Sequence, residues 1–188
     1  MNSSIQTEER ELIEACIKGR QKAQEQLYKR FASKMFGLCL RYSSNTMEAE
    51  DTLHEGFMKV FLNLEKFQFR GSLEGWIKRI MMNTALRKFR EDKYRRHFTE
   101  SVDAVSDVIE DSREYGFQNL TVEETMKMVQ QLAPGYKVVF NMYAIEGYSH
   151  REIGEMLNIS ENTSKSQLSR ARAILQKMIA RANQEKYV

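Results

Sequence analysis

Apolar residues recur at helical spacing along most of this chain. Ala49, Leu53, Phe57, Val60 and Leu64 are separated by four, four, three and four positions, which predicts the clearest helix in the sequence. Glu48, Glu50 and Asp51 stand in its first turns, where the helix dipole favours negative charge. Ser43-Ser44-Asn45-Thr46 before them is a loop of cap-forming residues. Upstream, Leu12, Ile13, Cys16 and Ile17 make one stripe, and Ala23, Leu27, Phe31, Leu38 and Tyr42 a second. Residues 7–43 are therefore predicted to be helical, broken at Lys18-Gly19-Arg20. The stretch KFQFRGSLEGW (66–76) predicts a loop with aromatics, an arginine and two glycines. A further helix is predicted from Trp76, buried through Ile77, Ile80, Met81 and Thr84. Arg79, Asn83, Leu86 and Arg90 lie on its opposite face, and the helix fades out over RKFREDKYRRH.

Residues 98–120 carry weak periodicity and acidic charge, which predicts a linker. Helices resume near Thr121 with Met126, Val129 and Leu132. Pro134 suits a first helical turn, Val138, Val139 and Met142 follow, and Gly147 ends that segment. The stretch REIGEMLNISENTSKSQLSRARAIL (151–175) then reads as two helices joined by a short turn. Ile153, Met156 and Leu157 share one face of the first. Asn158 tolerates the left-handed conformation, and Ser160 is a favoured N-cap. This is a helix-turn-helix pattern. Ser164, Leu168, Ala171, Leu175 and Met178 cluster on one face of its second helix. Opposite them lie Asn162, Ser166, Ser169, Arg170, Ala173 and Lys177, flanked by Lys165 and Arg172. A helix entering the major groove needs such a small, polar, basic surface. An ordinary solvated helix face fits the same pattern, so the rest of the chain must decide.

Composition supports an all-α chain: 188 residues contain one proline and nine glycines, and strand signals are nearly absent. The net charge of +3 hides a strong asymmetry. Residues 76–97 hold eight Lys or Arg against Glu91 and Asp92, whereas 98–124 hold eight Asp or Glu against Arg113. A basic block followed by an acidic one marks two electrostatic partners or two ends of one assembly. Phe67, Phe69, Trp76, Phe89 and Tyr94 are interleaved with the basic block, the composition of a single-strand binder. A core of aromatics under a solvated basic face has the same composition.

Catalytic readings find little support. His54 has no second histidine nearby for a metal site, and His97 and His150 stand alone. FRGSLEG lacks the Gly-Lys-Ser/Thr ending of a phosphate loop, and no nucleophile has a sequence signature. Cys16 and Cys39 sit in apolar helical settings and read as reduced core thiols of a cytoplasmic protein. No run approaches a membrane span and no signal-peptide pattern is present. No catalytic residue, cofactor or metal is expected.

Three segments carry a family resemblance: EAEDTLHEGFMKVFLNLEKF, GSLEGWIKRIMMNTAL and APGYKVVFNMYAIEGYSHREIGEMLNISENTSKSQLSRARAIL. They resemble the extracytoplasmic-function (ECF) sigma factors of bacterial RNA polymerase, within the sigma-70 family. The third segment is most similar in style to members from Bacteroidetes-type bacteria. The resemblance implies two small helical domains, region two over 8–97 and region four over 121–181, joined by a flexible acidic linker over 98–120. It implies a protein that binds core RNA polymerase, reads the −35 promoter element as duplex and melts the −10 element. An anti-sigma factor is an implied partner, without direct membrane insertion.

Carried over residue by residue, the helix starting near Glu48 matches the segment that docks on the clamp helices of the polymerase's largest subunit. Asp51, His54, Glu55 and Met58 would form that contact. Phe67, Arg70, Ser72 and Trp76 fall at the loop that receives a flipped base. Asn83 falls beside it, with Arg79, Arg87, Lys88 and Arg90 along the backbone of the strand. Asn162, Thr163, Lys165, Ser166, Gln167, Ser169, Arg170 and Arg172 fall on the recognition helix for the −35 duplex.

The chain also departs from the family pattern. His54 replaces a common glutamine, which would make docking mildly pH-sensitive. Asn158 replaces the usual turn glycine and Ser164 a more apolar residue, both at some expected loss of stability. The acidic linker either threads a channel built for nucleic acid or acts as a solubilising tether. The alternative function is a stand-alone helix-turn-helix transcriptional regulator, which would need a ligand pocket or a phosphoacceptor aspartate in its first domain. A nucleic-acid enzyme such as a recombinase would need a carboxylate cluster or nucleophile that the sequence does not offer.

Overall fold

In the computed structural model the backbone is described over residues 2–97 and 121–185; the expected linker, 98–120, lies outside the described residues. No strand occurs among the described residues, and eight α-helices do. The chain divides into two compact units, one up to Asp92 and one from Lys93.

The first unit holds α1 (Asn2–Ile17), α2 (Gln21–Tyr42), α3 (Thr46–Asn63) and, as far as Asp92, α4 (Leu73–His97). The break between α1 and α2 falls where expected, at Gly19 with φ +71°. In α2, Ala23, Leu27, Phe31, Met35, Leu38, Cys39 and Tyr42 are buried, one stripe that packs on both α1 and α3. Asn45 caps α3, its side chain accepting from the Glu48 amide at 2.9 Å, while the Glu48 carboxylate accepts from the Ser44 amide at 2.7 Å. Ala49, Leu53, Phe57 and Val60 are buried, as the periodicity required.

α3 and α4 meet at Gly56, where an added Cβ would lie 2.1 Å from the Met81 sulfur. The absence of a side chain there admits the fully buried thioether of Met81. In α4, Leu73, Ile77, Met81, Met82, Thr84, Ala85 and Leu86 are buried. Three expectations for this helix need correction. It begins at Leu73 rather than Trp76, because Ser72 caps it by accepting from the Gly75 amide at 3.1 Å. It continues to His97 instead of fading out. Leu86 belongs to the core, at 2% exposure, and not to the outward face.

The second unit holds α5 (Val122–Gln130), α6 (Pro134–Phe140), α7 (His150–Leu157) and α8 (Glu161–Glu185). α5 opens with a capping box in which Thr121 and Glu124 each accept from the other's amide, at 3.1 and 2.8 Å. Pro134 occupies the first turn of α6. A wide π-turn over Asn141–Ile145 extends that helix, and the segment ends before Gly147 at φ +81°. Ser149 and Glu152 form a second capping box on α7. Val129, Leu132, Ala171 and Leu175 form a core cluster with Tyr136, Phe140, Ile174 and Met178 against it. α8 packs on α5, α6 and α7 and so organises this unit.

Candidate nucleic-acid interface

On the first unit, the 67–72 loop is held by a ladder of rings. Phe67 is buried and tilts against Phe69, with centroids 4.9 Å apart, and against Trp76 at 5.6 Å. The Arg10 guanidinium of α1 lies 4.8 Å from the Phe69 centroid, within cation–π range. Phe69 itself adopts φ +55°, a conformation that a bulky side chain avoids and that concentrates at functional loops. Phe69 is one of the aromatics whose interleaving with basic residues suggests a single-strand surface, although its left-handed backbone is not announced by the sequence.

This loop and α4 enclose a cavity of about 380 Å³, lined by Lys66, Phe67, Gln68, Arg70, Gly71, Ser72, Gly75, Trp76 and Arg79. A second cavity of about 500 Å³ is lined by Lys59, Asn63, Lys66, Trp76, Ile80, Asn83, Thr84, Arg87 and Arg90. Lys66 and Trp76 line both. The two therefore make one basic groove with an indole at its waist. Aromatic faces and cations side by side are what an unpaired strand requires, for stacking and for phosphate. Arg70, Arg79, Asn83 and Arg90 are exposed along it, while Arg87 and Lys88 are half-buried. Phe67 and Ser72 line the smaller cavity and also have structural duties: one packs beneath the loop and the other caps α4.

On α3, Met47, Asp51, His54, Met58 and Leu62 follow one another at spacings of four, three, four and four and are all exposed. Met47, Met58 and Leu62 are 74%, 61% and 76% exposed, an apolar stripe that a monomeric surface has no need of. Met47 and Leu62 were not foreseen, although each is a large apolar residue outside the buried stripe. Glu55 was expected on the same open face as part of the docking contact. Instead it is half-buried, with its carboxylate ion-paired to Arg87, to Lys59 at 2.7 Å and, more distantly, to Lys88 at 3.9 Å. Burial raises its pKa, but hydrogen bonds from Lys59 and Arg87 and their charges outweigh that and hold it below the usual carboxylate value.

On the second unit, the turn between α7 and α8 places Asn158 at φ +54°, ψ +52°, the left-handed position expected for it. The Ile159 amide donates to the Gly154 carbonyl at 3.0 Å. Gly154 is required for the close approach: an added Cβ would lie 2.9 Å from the Ile159 carbonyl oxygen, a backbone atom. Ser160 then caps α8, accepting from the Thr163 amide at 2.9 Å. Ser164 is fully buried, yet its hydroxyl meets His150 Nδ1 at 3.0 Å, so the polar replacement comes with a partner.

Asn162, Lys165, Ser166, Ser169, Arg170 and Arg172 are exposed on α8, and Thr163 and Gln167 half-buried. The Ser166 hydroxyl donates to the Thr163 carbonyl at 3.0 Å and Lys165 pairs with Glu161 at 2.6 Å. Arg172 lies 5.6 Å from the centroid of Tyr143, which stacks on His150 at 4.6 Å. The outward stripe is thus convex and small-featured, with its cations braced at the edges.

These two surfaces have the character of a nucleic-acid-binding protein, a basic, ring-lined groove on one unit and a small-featured polar helix face on the other. The model of sigma-70 region 2 matches residues 27–95, and that of sigma-70 region 4 matches 123–175. The ECF RNA polymerase sigma factor SigW of Bacillus subtilis is 28% identical over 176 residues, covering 89% of this chain and 94% of that protein. The RNA polymerase sigma-H factor of Pseudomonas aeruginosa is 25% identical over 188 residues, covering 93% and 95%. Among solved structures, the sigma factor RpoE from Bartonella quintana, in complex with the anti-sigma factor NepR, shares the fold. It has a TM-score of 0.50 and 21% identity, covering 83% of this chain and 96% of that one. The chain belongs to the sigma-70 family of RNA polymerase sigma factors, in its ECF branch. Its members are transcription initiation factors, not catalysts in themselves.

Proposed function

We propose that this chain is the promoter-specificity subunit of RNA polymerase, with the division of labour its two surfaces suggest. The observation that carries this reading is the pair of unlike surfaces, a basic aromatic groove and a small polar helix face, in the two regions matched in family order. Region two spans 8–97, region four 121–181, and 98–120 is the tether between them. The α3 stripe of Met47, Asp51, His54, Met58 and Leu62 docks on the core enzyme's clamp helices. The groove between Arg70 and Arg90 takes the unpaired −10 strand, and Asn162 to Arg172 on α8 read the −35 duplex.

An anti-sigma factor is the inhibitory partner this reading expects, and the cytoplasm, where promoters are, is the site of action. No helix among the described residues is long and apolar enough to cross a membrane.

In vitro transcription of genomic fragments with added core polymerase tests the reading. Initiation should require both core and this protein, and the protein alone should bind promoter duplex weakly. Tight, sequence-specific duplex binding that core does not change would instead establish a stand-alone regulator.

A further inference from the structure

Arg87 stands where two surfaces of the first unit meet. Its side chain lines the larger cavity of the groove on α4. One terminal nitrogen, Nη2, donates to Glu55 of α3, and the other, Nη1, donates to Glu91 one turn along α4. Both prongs of the fork are thereby occupied by carboxylates, although a guanidinium needs two parallel donors to clasp a phosphate. The two carboxylates differ in freedom. Glu91 is exposed and belongs to the same helix, so it can swing into water. Glu55 comes from the neighbouring helix, is half-buried, and is anchored by Lys59 at 2.7 Å. Lys59 is itself fixed, donating to Thr84 of α4 at 3.2 Å.

Glu55 also borders the exposed α3 stripe, four residues after Asp51 and three before Met58. A cation arriving on that stripe comes within reach of the carboxylate that restrains Arg87. We propose that Glu55 is a positioning residue coupling the two surfaces. In the free protein it withholds Arg87 from the groove. When a protein partner carrying a Lys or Arg docks on α3, Glu55 turns to that cation and Arg87 becomes available to a phosphate of the unpaired strand. The inference rests on the assignment of α3 to core docking and of the groove to the melted strand.

The test measures binding of a labelled, mixed-sequence single-stranded deoxyoligonucleotide across a salt series. Free wild-type protein is compared with Glu55→Gln, Glu55→Gln/Arg87→Ala and Glu50→Gln. The last removes one charge from an exposed position of α3 outside both surfaces. Glu55→Gln alone should bind several-fold tighter than wild type, with a log–log salt slope steeper by about 0.7, the value of one added phosphate contact on a single strand. Adding Arg87→Ala should remove that gain, and Glu50→Gln should show none. With saturating core polymerase, wild type should rise to meet Glu55→Gln. Far-UV circular dichroism establishes that each variant is folded.

A gain that survives in the double variant, or one that Glu50→Gln reproduces, would mean that lost negative charge and not release of Arg87 is responsible, and overturns the inference. So does a folded Glu55→Gln with unchanged affinity and slope, when core still raises wild-type binding. If core fails to raise wild-type binding at all, the docking and groove assignments fail together and take the inference with them.

Discussion

On the proposed reading, the groove of the first unit and the recognition helix of the second serve one polymer in two states. The groove is concave, built from a strained loop, stacked rings and a helix, and its arginine is held by carboxylates from two places. The recognition surface is a single convex helix whose outward residues are small or polar. The difference follows from what each must hold. An unpaired base presents two faces and needs a cavity with rings to stack against. A base pair presents only edges, at the bottom of a groove that a helix must enter. Even the glycines divide this way. Gly56 admits the end of a flexible side chain, Met81, whereas Gly154 admits another stretch of backbone.

That last contrast gives the largest expected effect. Gly154→Ala sets a Cβ against a carbonyl that cannot move without opening the turn, and should destabilise the second unit by about 3 kcal/mol, the upper end for overpacking. Gly56→Ala presses on a thioether that can turn, and should cost the first unit about 1–2 kcal/mol. Thermal unfolding followed by hydrogen exchange, which reports each unit separately, checks both. Equal losses would remove the distinction between the two close approaches.

A smaller effect sharpens the functional contrast. Arg170→Ala should weaken promoter capture by about 1–3 kcal/mol, the worth of a guanine contact, or less if it meets phosphate. Asn83→Ala should spare capture and impair opening. A pre-melted bubble supplies the unpairing energy from outside, so in transcription assays it should partly restore Asn83→Ala and do little for Arg170→Ala. Identical rescue of the two would erase the division of labour.

Docking can be separated from both readers. Lysine at Glu55 would face Arg87, Lys59 and Lys88 and disturb the first unit itself. Asp51→Lys with Met58→Ala changes only the exposed stripe and should abolish copurification with core polymerase while leaving helical content intact.

At the turn, Asn158→Gly should stabilise the second unit by a few tenths to about 1 kcal/mol, because glycine occupies the left-handed region freely. Asn158→Val should destabilise it by about 1–2 kcal/mol. Chemical denaturation measures both.

The smallest effect is on pH. Because the Glu55 pKa is lowered in the folded state, its contribution to stability is complete above the ordinary glutamate range and is lost as pH falls through the folded value. Denaturation midpoints of the first unit should therefore decline on acidification from neutral, and Glu55→Gln should flatten that decline. An equal decline in the variant would assign it to other carboxylates.

Helices whose order comes from their own repeat were legible in the sequence. The buried stripe of α3, the caps at Asn45 and Ser160, and the inward face of α8 all follow from local spacing and cap chemistry. What escaped was non-local or compensated locally in ways a stripe does not show. The C-terminal half of α4 carries so much charge that it reads as fading, yet Arg87 and Glu91 pair one turn apart and support the helix. Glu55 reads as a surface acid because its partner Arg87 lies 32 residues away. Phe67 reads as a loop aromatic because nothing in the sequence shows that Phe69 and Trp76 cover it. The wide turn at 141–145 leaves Met142 buried with Tyr143 and Ile145 outward, and no period of 3.6 announces it.

The buried thiols have a practical meaning for studying these surfaces. Cys16 and Cys39 are free and buried, and burial pushes Cys39 up to about 11, with Cys16 raised in the same direction. Both are thereby biased toward the thiol and away from the thiolate that an alkylating dye attacks. Maleimide dyes should therefore favour a single exposed cysteine placed on α4 or α8 over the buried native pair. Each DNA-facing surface could then carry its own reporter in the otherwise unaltered chain.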